Sequence, residues 1–247
     1  MYERLRRHSV VCWALITVWA VSLVVVAATA QERSSPSRVA FMRGHLAEAI
    51  PLHDAVARGD LAAARTHATV LLSQHSEVQF PTGSVVYFEL LKQSATNVTE
   101  ARTIEEAGRS AATMLSRCGQ CHQATHVSIP MSPTPESRIG GVVGQMMDHQ
   151  RAADLLLEGL VSPSESQWRA GADAFARTRL EPRDMPSGKL AERARIANVL
   201  LQSLATAASE ARRPPDRVQV YGRILATCSR CHQEHARIWG PDRTPPR

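Results

Sequence analysis

The motif C-x-x-C-H occurs twice, at Cys118–His122 and Cys228–His232, and each copy closes a stretch that opens in the same way. The first stretch opens with V-x-x-M-x-x-H at Val39, Met42 and His45. The second repeats it at Val143, Met146 and His149. From His45 to Cys118 is 73 positions and from His149 to Cys228 is 79. Self-similarity at a near-constant spacing marks an internal duplication. Between the copies lies Ile129–Ser137, where Pro130, Pro133 and Pro135 break any helix and favour an extended linker.

The periodicity on either side of that linker is helical. Helices are expected at about 37–58, 60–75, 84–97 and 100–123, then at 138–160, 164–178, 187–211 and 215–236. Asp60 is placed to cap the second helix, and Pro163, Pro214 and Pro215 suit helix starts, where proline costs no internal hydrogen bond. No alternating β-branched run argues for a sheet. The expected fold is all-α, with two tandem four-helix bundles joined by short loops. The expected boundaries are 1–30 for a signal peptide, 31–128 and 138–247 for the two bundles, and 129–137 for the linker.

Arg4, Arg6 and Arg7 precede an uncharged apolar run from Val10 to Ala28, and Ala28-Thr29-Ala30 is a small-x-small cleavage pattern. The chain is expected to be exported to the periplasm, with a membrane anchor as the alternative if the segment is not cleaved. The net charge of +6 falls to +4 without the first thirty residues. Arg and Glu are interspersed, with no basic block or aromatic stripe, so a nucleic-acid partner is not expected.

Four of the five cysteines fall in the two motifs, and the fifth is Cys12 in the apolar segment. None is left for a disulfide, although an exported chain meets an oxidising compartment. On a helix, positions i, i+3 and i+4 share a face. Two thiols there can add to the vinyl groups of a haem while the following histidine offers its imidazole to the iron. Cys118, Cys121 and His122 fit one haem c, and Cys228, Cys231 and His232 a second. A thioredoxin-like pair needs a βαβ context and gives no reason for the histidine; a zinc site from both pairs is the other rival. Few aromatics remain for the core of each half, so buried porphyrin would add apolar area that a small domain otherwise lacks.

The iron's sixth position is open between two residue types. Met42 with His45, and Met146 with His149, are i,i+3 pairs on the first helix of each half. His45 and His149 are preferred, because methionine fills many cores without ligating.

These motifs and this layout resemble the class II c-type cytochromes, the cytochrome c-prime group. Those proteins are four-helix bundles with C-x-x-C-H near the end of the last helix. The resemblance covers each half, strongly at the haem motif and weakly elsewhere. It implies two covalent haems on the cysteines and histidines named above. It also implies an alternative distal face, in which Val39 and Val143 lie over five-coordinate irons open to gases such as NO or CO. The family's aromatic and basic residues after the haem histidine are replaced here by Thr125 and His126, and by His235 and Ala236. Tandem bundles are also unusual for the group.

The expected function is periplasmic electron transfer, as a carrier or as the electron-carrying subunit of an oxidoreductase, with redox proteins as partners. Gas binding or sensing is the alternative, and a dihaem peroxidase ranks third because no acid/base constellation accompanies the motifs. A homodimer through helices one and two is a further expectation from the resemblance, with the same contact between the two halves as its intramolecular version.

Overall fold

The computed structural model describes residues 36–74, 80, 83–129, 131–178 and 188–239. Among these the protein is all-α, with eight helices and no strand. The first four are α1 (Pro36–Ala57), α2 (Leu61–Ser73), α3 (Val85–Glu100) and α4 (Ile104–Thr125). After the linker come α5 (Gly141–Val161), α6 (Glu165–Arg177), α7 (Lys189–Glu210) and α8 (Pro214–Trp239). The apolar segment Val10–Ala28 lies outside the described residues. No described helix is long and apolar enough to cross a membrane.

Local chemistry sets the boundaries. Asp60 caps α2 by accepting from Ala63 N at 2.9 Å, as its position implies. Thr103 accepts from Glu106 N at 3.2 Å, while the Glu106 carboxylate reaches back to Arg102 N at 2.7 Å. This reciprocal cap starts α4 at Ile104, later than periodicity alone indicated. Pro214 opens α8, where its missing N–H leaves no donor unsatisfied.

The linker is tied down along its length rather than hanging between the halves. Met131 N donates to Glu158 Oε1 at 3.4 Å, Thr134 N to Asp154 Oδ2 at 2.9 Å and Ser137 N to Asp148 Oδ1 at 3.0 Å. The linker therefore runs antiparallel to α5, held by carboxylates spaced along that helix. Its last residues press so close that a Cβ on Gly144 would meet Ile139 O at 1.7 Å. The strap keeps Ser137–Gly140 extended, which is why α5 starts at Gly141 instead of near residue 138.

His45–His75 and Phe80–Arg247 group into one compact unit; the described part of the other unit is residues 36–44, the opening turns of α1. Within the larger unit, α2 packs on α3 and α3 on α4, α5 packs on α6, α6 on α7 and α7 on α8, and α4 packs against both α8 and α5. The core is uneven. Around α1 to α4 it is largely alanine, with Ala55, Ala64, Ala68, Ala95, Ala107, Ala111 and Ala112 fully buried. The bulky buried aromatics, Trp168, Phe175 and Tyr221, all belong to the second half.

The α4–α8 pair is antiparallel. Glu105 meets Arg230 at 3.6 Å, Gly108 sits over Leu225 and Ala226, and Gly222 faces Ala112, a Cβ there lying 3.6 Å from the alanine's own. Ala112 and Gly222 each lie six residues before their motif's first cysteine. Equivalent positions touching each other mark an intramolecular two-fold axis, the isologous arrangement of a symmetric dimer. At 1.5 Å per residue along the pair, the two motif histidines stand roughly 25–30 Å apart axially.

Candidate haem sites

Each motif occupies the C-terminal part of its half's last helix, Cys118–His122 in α4 and Cys228–His232 in α8. The four thiols are half-buried and unpaired with one another. Burial pushes the Cys118 and Cys228 thiols up to about 12, with the neighbouring Cys121 and Cys231 adding to it. Burial also raises Cys121 and Cys231. These are protonated, apolar-facing thiols rather than reactive thiolates. Among the described residues no group of three or more His, Cys, Asp or Glu side chains is placed to hold a metal ion.

The histidines show a more specific arrangement. His122 is 5% exposed, and its Nδ1 lies 2.7 Å from the Val161 carbonyl. Its Nε2 is buried with no hydrogen-bond partner. Burial pulls its pKa down, partly opposed by the carbonyl bond. His149 repeats this pattern on the expected distal side. It is 8% exposed, hydrogen-bonds the Thr178 backbone, and also leaves Nε2 buried without a partner. Burial pushes its pKa down to about 4, and the nearby His232 adds to the shift.

A buried imidazole nitrogen that makes no hydrogen bond loses about 1–3 kcal/mol of solvation with nothing in return. Fixing Nδ1 on a carbonyl and aiming a bare Nε2 inward is how metal-ligating histidines are held, because it sets the tautomer and the ring orientation. The residues present therefore fit a haem at each motif.

The remaining expected residues divide by burial. His45 is 4% exposed, its ring 5.5 Å from that of Phe88, just as His149 lies 5.7 Å from Phe175. Met42 and Met146 are half-buried. Val39 and Val143 are 41% and 62% exposed, on the outer side of their helices. His232 is exposed where its counterpart His122 is buried, so the two sites are not identical. His126 ends α4 in a left-handed conformation at φ 55° and is exposed. The side chains of His235 and Ala236 lie outside the described residues.

Sequence reading missed the second-layer groups, since the partners of His122 and His149 are backbone atoms that any residue carries. It also assigned no role to His53, which is fully buried. His53 Nε2 lies 2.7 Å from the Tyr221 hydroxyl and Nδ1 3.1 Å from Asp54 Oδ1, while the hydroxyl also reaches Ala153 O at 3.1 Å. This chain of buried polar groups links α1, α5 and α8. His67 pairs with Glu48 at 2.8 Å near the surface.

No family model, curated protein or solved structure matches this chain.

Proposed function

We propose that the protein is an exported dihaem c-type cytochrome of the class II, four-helix-bundle kind, and that it transfers electrons as a carrier or as a subunit of an oxidoreductase. The observation that carries this is two buried histidines, His122 anchored through Nδ1 on the Val161 carbonyl and His149 on the Thr178 backbone, each with a buried, unpartnered Nε2, beside two helical C-x-x-C-H motifs. Cys118, Cys121 and His122 would hold one haem, and Cys228, Cys231 and His232 the other. A covalently held haem supplies one-electron exchange at iron whose potential is set by its axial ligands and surroundings.

The chain's own residues exclude water, orient the imidazoles and fix the spacing. A haem held at the second motif would favour six-coordinate iron over an open gas site, because His149 is buried while Val143 is exposed. His45 holds the corresponding position in the first half through the V-x-x-M-x-x-H repeat. With the motifs roughly 25–30 Å apart along the α4–α8 pair, these residues would hold two haems as separate one-electron ports.

The test is the mass and reduced visible spectrum of the full chain, expressed with a cytochrome maturation system. Two porphyrin additions and sharp, split α and β bands are expected. A mass without added porphyrin overturns the cofactor assignment; a broad high-spin band that sharpens with CO overturns histidine ligation and restores the gas-binding reading.

A further inference from the structure

We propose that each half completes the proximal side of the other half's haem site, and that Gly119 is the positioning residue that lets the Val161 carbonyl orient His122. The inference rests on the haem reading above and adds a cross-half control of one haem's potential.

Val161 is the last residue of α5 and belongs to the second half, while His122 belongs to the first. The approach is close: a Cβ on Gly119 would sit 1.9 Å from Leu160 O, the carbonyl one peptide before the one His122 uses. The reciprocal contact exists on the other side of the two-fold axis. Ser229 holds the place of Gly119 in the second motif, and its hydroxyl is shared between the carbonyls of Leu225 and Val56. Val56 and Leu160 each lie eleven residues after their half's V-x-x-M-x-x-H histidine, so equivalent positions meet twice. Gln233 Nε2 adds a bond to Gly59 O at 2.9 Å on that side.

The two contacts differ in one atom set. Glycine at 119 admits the helix end fully, and His122 is buried; serine at 229 occupies that space, and His232 is exposed. A second tie holds the end of α5 in place, since Ser162 Oγ donates to Ile129 O in the segment leaving α4. A carbonyl accepting from Nδ1–H makes an imidazole a stronger donor to iron. Stronger donation favours the ferric state, so this tie lowers the potential of the first haem.

The experiment uses the full, haem-loaded chain, with two porphyrin additions confirmed by mass before any titration. In G119A the Cβ pushes the end of α5 away from His122. One of the two midpoints should then rise by about 59 mV, tenfold in a one-electron equilibrium, while the other stays in place. S162A, which adds no atoms, should move the same midpoint upward by less. If G119A is folded and neither midpoint moves, or if both move together, the positioning role is overturned while the haem assignment stands. If G119A does not fold, an unmoved pair of midpoints in S162A overturns it. Absence of porphyrin in the parent chain overturns the haem reading itself.

Discussion

His122 Nδ1 lies 2.7 Å from the carbonyl oxygen of Val161, a residue 39 positions away and in the other half of the duplicated chain. A motif histidine therefore depends for its orientation on a helix end outside its own bundle. The halves are interlocked rather than merely tethered.

On the proposed haem reading, each motif would bind its porphyrin independently, through its own cysteines. Cys118→Ala with Cys121→Ala should leave one porphyrin on the chain, and adding Cys228→Ala with Cys231→Ala should leave none. Intact mass reads this directly. Two porphyrins retained in the first variant would show that attachment lies elsewhere.

On the same reading, the buried His149 would complete the coordination in the second half. His149→Ala should convert about half of the haem to a high-spin, CO-binding form in the visible spectrum. Val143→Ala should leave the spectrum unchanged, because that side chain is 62% exposed. A spectrum altered by the valine change alone would place the distal face there instead.

Trp168 is the largest fully buried side chain among the described residues, 1% exposed, with Nε1 donating to Ala208 O at 2.8 Å and Arg217 stacked 5.2 Å from its ring. Trp168→Ala should cost about 3–5 kcal/mol through the cavity and the lost bond. Denaturant unfolding measures it. A loss below 1 kcal/mol would mean that the second half's core does not rest on this ring.

Tyr221 and His53 form a buried polar contact between α8 and α1. Tyr221→Phe removes the hydroxyl from His53 Nε2 and Ala153 O, and an unsatisfied buried group costs about 1–3 kcal/mol. The same denaturant experiment checks it, with unchanged stability as the contrary result.

Asp54 gives acid sensitivity. Burial raises its pKa, but the hydrogen bond and charge of His53 outweigh burial and hold it below the usual carboxylate value of 3.8. The folded state thus binds the proton more weakly than the unfolded state. Its stabilisation is present above the ordinary carboxylate pKa and is lost as pH falls below it. Asp54→Asn should flatten that part of the stability–pH curve between neutral pH and pH 3, read by urea titration at each pH. An unchanged acid slope would remove Asp54 from the account.

Much of this protein is legible in its sequence because the signals are local. Eight helices follow from the spacing of apolar residues, and Asp60 and Pro214 mark helix starts by chemistry confined to a single turn. The placement of Cys118, Cys121 and His122 on one face is likewise a consequence of i, i+3, i+4 geometry. The start of α5 was misplaced for the opposite reason. Asp148, Asp154 and Glu158 hold the linker against α5, and those bonds join residues 11 to 27 positions apart. Sequence alone thus determined the helices, the duplication and the two motif sites. Only the tertiary structure decided that α4 and α8 pack antiparallel, that Val161 serves His122, and that His53 meets Tyr221. Backbone carbonyls carry no sequence signature, and contacts between distant segments depend on which surfaces exclude water together, a property of the folded chain as a whole.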